Sequence, residues 1–284
     1  MGVNMLDLHK TLIKSHPKIG LYDGPYCTSF HLEVELKSMN IPYERFTEKD
    51  INKPKFGEYL QVLIFGAGAI YNSKTAVGGE AGKQKIKGLI KEGRSYVGIC
   101  AGSFLALGND PRCLNISKHE VSVPFTMSIN TFQGFLNLDW LKGEYLARKV
   151  WYQNGPIYSH VEGDVIAKWS DKQPEKWVCS PKASHKPLDF ANQPAVVGND
   201  YGKGRVILLS PHFEFGSMVP AEYCEPLYEW EKRNDLNLGH RVPHGKYREK
   251  FLGELDELGY TKLVDSPQWK TFKQIIYKNI KSNK

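Results

Sequence analysis

The run Tyr96-Val-Gly-Ile99 ends directly on Cys100, and Ala101-Gly102 follow before an apolar turn, Ser103-Phe-Leu-Ala-Leu107. A short apolar strand that meets a small-residue corner and then a helix leaves a chain few ways to fold. The side chain at the tip of such a strand-to-helix turn stands exposed above a sheet, and bulky neighbours would collide with the crowded backbone. The pattern predicts a nucleophile elbow. A helix start also aims free N–H groups at the sulfur, which favours thiolate and offers donors to a developing oxyanion. The plain alternative is an inert small residue at the end of a core strand, the usual fate of a single cysteine.

The surrounding sequence repeats the strand-then-helix rhythm. Ile19-Gly-Leu-Tyr22 reads as a buried first strand, Asp23 to Ser29 as turn chemistry, and Phe30 to Met39 as a helix. Tyr43 to Phe46 is a second strand and Gln61 to Phe65 a third, apolar enough to be central in a parallel sheet. A helix from about Gly82 to Glu92 then returns the chain to the Cys100 strand. This alternation predicts a doubly wound α/β fold, in which reactive groups gather beyond the carboxyl ends of the strands. Asp23, Gly66-Ala67-Gly68 and Cys100 all fall at such ends. The glycine corner lacks the third glycine of a dinucleotide fingerprint, so it reads as bare backbone N–H groups near a reacting carbonyl, or as an ordinary tight turn.

Composition narrows the function classes. The 284 residues, 41% hydrophobic and 12% aromatic, suffice for a sizeable core. No apolar run approaches the about 18 residues of a membrane span. Residues 1–17 are expected to be an extension, without the apolar core and cleavage site of a secretory signal or the pattern for myristoylation. Five cysteines, Cys27, Cys100, Cys113, Cys179 and Cys224, are odd in number and form no Cys-x-x-Cys pair, which fits a reducing cytoplasm. Whether Cys27 could reach Cys100 is a matter of geometry. The net charge of +7 is spread over the chain among acids, so no nucleic-acid partner is expected. Only the stretch after Lys270 is basic without relief. Its Phe272, Ile275, Ile276 and Ile280 recur at helical spacing, as on a terminal helix with one solvated face.

The middle, about 109 to 203, is rich in short strand signals: His119 to Phe125, Pro156 to His160, Val165 to Trp169 and Ala195 to Asn199. They predict an antiparallel extension of the sheet or a flap beside the site. Trp140, Trp151, Trp169 and Trp177 read as packing residues. His119, His160 and His185 are isolated, and no metal-ligand spacing appears, so neither metal nor cofactor is expected. Arg205 to Leu209 is another apolar strand, whose end delivers His212 and Glu214. A cysteine nucleophile needs a base, and that imidazole needs a group to hold its tautomer and its charged form. His-x-Glu supplies both if the loop curls back.

These residues carry a resemblance. Gly98-Ile-Cys-Ala-Gly102, the glycine corner and Pro211-His-Phe-Glu214 together resemble the class I glutamine amidotransferase-like superfamily. Tyr22-Asp-Gly-Pro25, Thr28-Ser29, Val97 to Ala106 and Ser210 to Phe215 are more closely similar to the amidotransferase-like domain at the N-terminus of eukaryotic biotin-protein ligases, also found as stand-alone bacterial proteins. The match spans about Lys18 to Pro220. It implies a flavodoxin-like fold with Cys100 as nucleophile, His212 as base and Glu214 as orienting acid. The backbone of Gly66 to Gly68 and of Ala101 would form the oxyanion hole.

Two departures shape the expected chemistry. Phe104 stands where glutaminase members carry a Gln that holds the substrate glutamine, and an apolar ring cannot supply those hydrogen bonds. The chain also lacks a Gly-Arg-Gly-Arg-type biotinyl-adenylate loop, so it is not a complete biotin ligase. The implied activity is hydrolysis or amide transfer through a thioester on a small amide or ester. Two other readings stay open: a non-catalytic binding or regulatory module with the same fold, and the chaperone or deglycase branch, whose acid would have to be Asp23. Residues 221–284 read as a charged, aromatic-rich helical extension packed on the domain, with His240 and His244 in a Pro-Gly loop rather than a metal pair.

Overall fold

The computed structural model describes residues 18–24, 29–67, 77–108, 111, 113–122, 133–173, 191–215 and 266–279. In chain order these form β1 (Ile19–Tyr22), α1 (Ser29–Ser38), β2 (Tyr43–Phe46), α2 (Glu48–Ile51), β3 (Val62–Phe65), α3 (Gly79–Lys91), β4 (Ser95–Ile99) and α4 (Ala101–Ala106). There follow β5 (Glu120–Val121), β6 (Gln133–Trp140), β7 (Lys149–Gln153), β8 (Tyr158–His160), β9 (Asp164–Trp169), β10 (Pro194–Tyr201), β11 (Gly204–Leu209) and α5 (Pro267–Asn279).

Nine strands join in the order β2-β1-β3-β4-β11-β10-β9-β6-β7, while β5 and β8 pair separately. The pairings from β2 through to β11 are parallel. With β11 as the fifth strand, this half has the 2-1-3-4-5 order of flavodoxin-like sheets. The fold is α/β and flavodoxin-like. Strands β3 and β4 are buried throughout, and β11 nearly so, as continuous apolar runs covered on both faces must be. The edge strand β2 leaves Glu44 and Arg45 exposed, charges that discourage a further strand from pairing.

Beyond β11 every pairing is antiparallel. This is the antiparallel extension that the sequence offered as one of two arrangements, and it contains strands beyond those expected. Strand β6 divides its partners: Gln133 to Asn137 pair with β7, and Leu138 to Trp140 with β9. The far strand then turns back, because Trp151 of β7 forms an antiparallel bridge with His212 and the His212 N–H donates to the Trp151 carbonyl at 2.8 Å. An edge strand four places from β11 thereby lies against the segment that leaves β11. Strands β6 and β7 had no counterpart among the strands expected from the sequence. The strand expected over His119 to Phe125 is reduced to β5, with residues 123–125 outside the described set, and that over Pro156 to His160 to the three residues of β8.

Helix α3 buries Gly82, Ile86, Leu89 and Ile90 along one stripe. It begins at Gly79 rather than near Gly82, directly after the left-handed Gly78 and at a residue that itself has positive φ. Helix α1 is buried from His31 to Leu36 without interruption, polar residues included. Helix α5 buries Trp269, Phe272, Ile275 and Ile276, which accords with the spacing seen in the sequence; Ile280 lies outside the described residues. It docks through Ala147 N–H to Thr271 Oγ1 at 2.9 Å and Gln268 Nε2 to the Lys149 carbonyl at 2.8 Å. Trp151 and Trp169 are core residues and Trp140 packs partly buried against the core. The 1–17 extension, Trp177, His185 and most of 221–284 lie outside the described residues. Among the described residues no helix is long and apolar enough to cross a membrane.

Candidate active site

Cys100 sits between β4 and α4 with φ 50° and ψ −108°. Positive φ is rare for a residue with a Cβ, and such a conformation costs about 1–3 kcal/mol and persists only where its surroundings impose it. Here they do. Cys100 N–H donates to the Leu209 carbonyl at 2.9 Å, tying the elbow to the end of β11. Ser103 Oγ lies 2.8 Å from the Gly98 carbonyl and accepts from Leu209 N–H at 3.1 Å, and Tyr96 Oη donates to the Gly102 carbonyl at 2.7 Å. The small residues read from the sequence have a steric cause. A Cβ on Gly102 would meet the Phe65 carbonyl oxygen at 1.9 Å, and one on Gly98 the Gly102 oxygen at 2.6 Å.

Strand β11 delivers the other two side chains. His212 Nδ1 lies 2.7 Å from Glu214 Oε1, both groups being buried. Burial alone would pull the His212 imidazole down, but the fields of Glu214 and Cys100, with hydrogen bonds to both, outweigh it and hold the ring well above the ordinary histidine value. His212 is thus paired with Glu214 through Nδ1, while its Nε2 and the Cys100 sulfur meet the same backbone carbonyl, that of Gln153. Parallel pairing of β4 with β11 makes this possible, since it sets Ile99 beside Leu209 and places both loops at one sheet end.

One participant was not foreseen. The Gln153 carbonyl, on the returning edge strand, lies 3.1 Å from His212 Nε2 and 3.4 Å from Cys100 Sγ. A carbonyl only accepts, so this contact calls for hydrogen on Nε2, and the carboxylate facing Nδ1 favours hydrogen there too, in line with the raised pKa of the ring. A second layer lies behind. Phe215 stacks on His212 at 4.9 Å, His31 of α1 meets Phe215 edge-on at 4.7 Å, and Trp269 Nε1 donates to the Glu214 carbonyl at 3.2 Å. In α1, His31, Glu33 and Glu35 alternate with Leu32, Val34 and Leu36, so the sequence does not set His31 and Glu35 apart, and Gln153 gives no signal because a backbone carbonyl has no side-chain signature.

The remaining expected site residues divide. Gly66 and Ala67 are buried at the carboxyl end of β3, and Gly68 lies outside the described residues. Ala101 opens α4 beside the sulfur, 1% exposed. Phe104 is 3% exposed and belongs to the core, one turn along α4. Asp23 follows β1, where its Oδ1 accepts from Ser29 Oγ at 2.7 Å at the start of α1. Cys27 is outside the described residues. An open cleft of about 720 Å³ lies at the amino end of β11, lined by Lys87, Ser117, Asp164, Asn199 and Arg205 among others, at the opposite end of that strand from Cys100. Among the described residues no group of three His, Cys, Asp or Glu could hold a metal ion.

No family model and no curated protein matches the chain. Solved structures similar to it include a glutamine amidotransferase from Thermotoga maritima, at 14% identity and a TM-score of 0.48, covering 94% of this chain and 99% of that one. A putative GMP synthase subunit from Thermoplasma acidophilum gives 12% and 0.44, over 86% of this chain and 98% of that one. A GH42 β-galactosidase from G. stearothermophilus gives 14% and 0.37, over 73% of this chain, which spans only 25% of the galactosidase. At these identities each is a likeness of fold, and no activity is carried across.

Proposed function

We propose that the chain is a cysteine-nucleophile hydrolase or amide-transfer enzyme of the class I amidotransferase-like type, related to the N-terminal domain of biotin-protein ligases and working in a reducing compartment on a small amide or ester. The observation that carries this reading is the buried His212–Glu214 pair set beside Cys100, with the sulfur and His212 Nε2 sharing the Gln153 carbonyl, at the carboxyl ends of two adjacent parallel strands.

In the reaction, the substrate carbonyl displaces Cys100 from the Gln153 oxygen. His212, neutral at Nε2 after losing that proton to solvent water, takes the proton of the thiol, and the sulfur attacks the carbonyl carbon. The oxyanion that forms is met by backbone N–H groups at Ala101 and in the Gly66 corner. His212 then returns the proton to the departing amine or alcohol, leaving a thioester on Cys100. Water or an acceptor amine, deprotonated by His212, attacks the thioester and releases the acyl group, restoring the thiol. Glu214 holds the ring and balances its charge throughout. Glutamine is disfavoured as the substrate, because Phe104 cannot supply the hydrogen bonds of the Gln that glutaminase members carry at this position.

A second reading, a binding module without turnover, is favoured by one feature: the Gln153 carbonyl engages both Sγ and Nε2, and Cys100 is only 8% exposed. Mixing the protein with p-nitrophenyl acetate separates the two. The enzyme reading predicts a nitrophenol burst of one equivalent and an acetylated Cys100, both lost in Cys100→Ser. No burst above that variant supports the binding module.

A further inference from the structure

Helix α1 carries a carboxyl that the proposed chemistry does not use. Glu35 is fully buried, and neither of its oxygens has a hydrogen-bond partner. The Oε2 of Glu214, also fully buried, has none either. A buried carboxyl without a partner is expensive and calls for an explanation. The face of α1 bearing Glu35 is turned to the triad segment, since His31, one turn earlier at the i,i+4 position, packs edge-on against Phe215, which stacks on His212.

We propose that Glu35 is a positioning residue: a protonated carboxyl on the face of α1 turned to the Phe215 segment, which leaves Glu214 as the negative charge that faces His212. This rests on His212 and Glu214 acting as base and orienter. Two carboxylates sharing a dry site cannot both ionise at little cost, so one retains its proton. The charges divide accordingly. Burial, and then the field of Glu214, push the Glu35 carboxyl well above the ordinary range, while Glu214 is fixed by its bond to His212 Nδ1. Among the described residues, the titratable groups near the pair include His31, whose ring burial and then His212 hold well below the usual histidine value, and beyond it His212 and Cys100. Strand β1, on which α1 packs, brings no charged group; its one titratable side chain is Tyr22, with Asp23 following and bonded to Ser29.

The test compares the full chain with Glu35→Gln, and with Glu35→Met as a neutral variant that lacks hydrogen-bonding groups. Ring resonances of His212 are followed by NMR against pH, and the melting temperature is followed over the same range. An acid whose folded pKa is raised costs stability from its unfolded pKa, about 4.5, upward. Glu35→Gln therefore melts higher than wild type at pH 8, and the gap closes as the pH falls to about 4.5. The wild-type His212 curve shows a second inflection, transmitted from Glu35 through Glu214, that is lost in both variants. A melting gap independent of pH, or superimposable His212 curves, overturns the proposal. Labelling of Cys100 by iodoacetamide in the same samples keeps the two ideas apart. Slow labelling with the second inflection present refutes the enzyme reading and leaves the carboxyl pair standing. Fast labelling with identical curves refutes Glu35 alone.

Discussion

Cys100 Sγ lies 3.4 Å from the backbone carbonyl of Gln153, a residue 53 positions further along the chain at the end of the edge strand β7. The contact exists because the antiparallel half of the sheet rolls back onto the end of β11. It makes the edge strand part of the site, and it holds the thiol in a state that a substrate must displace. Asn154, next in the chain, has φ 56°, a left-handed conformation that β-branched residues avoid. Asn154→Val is expected to lower stability by about 1–2 kcal/mol and to raise the rate of Cys100 alkylation as the carbonyl moves away. An unchanged rate would show that Gln153 does not restrain the thiol.

The elbow glycines allow a contrast within one protein. Gly102→Ala forces a methyl group into the Phe65 carbonyl and is expected to destabilise by about 3 kcal/mol or more. Gly88→Ala, in the middle of α3 where a Cβ meets nothing within 4 Å, should stabilise by about 0.5–1 kcal/mol. Urea unfolding of the two variants measures both signs. A tolerated Gly102→Ala would mean that the close approach of α4 to β3 is not obligatory.

That contrast marks what the sequence reveals and what it hides. Gly98-x-Cys100-x-Gly102 and the apolar runs that became β1, β3, β4 and β11 were legible because each obeys a local rule of sterics or burial. His212 and Glu214 were legible as a strand-end pair. Strands β6 and β7 were not, although Leu136 and Leu138 alternate as a strand should, because Trp140 and Trp151 read equally well as general packing. Glu35 escaped notice since its role depends on Glu214, far away in sequence, and the returning Gln153 carbonyl has no residue type to announce it.

Helix α5 reaches the site through the bond from Trp269 Nε1 to the Glu214 carbonyl. Trp269→Phe keeps most of the ring volume and loses the N–H donated to the Glu214 carbonyl, an expected cost of about 1 kcal/mol. Trp269→Ala empties a fully buried site and should cost about 3–5 kcal/mol. Thermal melts rank the two. Equal losses would place the whole effect in the bond and none in the packing.

His119 is buried with neither ring nitrogen partnered, and its ring meets Tyr158 edge-on at 5.9 Å. Burial lowers its pKa to about 4, with Glu162 opposing and His160 and Arg205 reinforcing the shift. A histidine held neutral in the fold takes up its proton first in the unfolded chain, so stability falls as the pH drops from about 6.5 to about 4. His119→Phe should remove that part of the acid dependence and leave melting near pH 8 little changed. A variant with an unaltered acid limb would contradict the assignment.

The central claim is that Cys100, His212 and Glu214 act as one reactive unit, and the most direct measurement is the pH dependence of iodoacetamide labelling at each cysteine by mass spectrometry. The account predicts that Cys100 reacts ahead of the other thiols well below pH ~8.5, the region of an ordinary cysteine, and that His212→Ala and Glu214→Gln each slow it. Labelling of Cys100 no faster than that of a free thiol, with both variants indistinguishable from wild type, would contradict it.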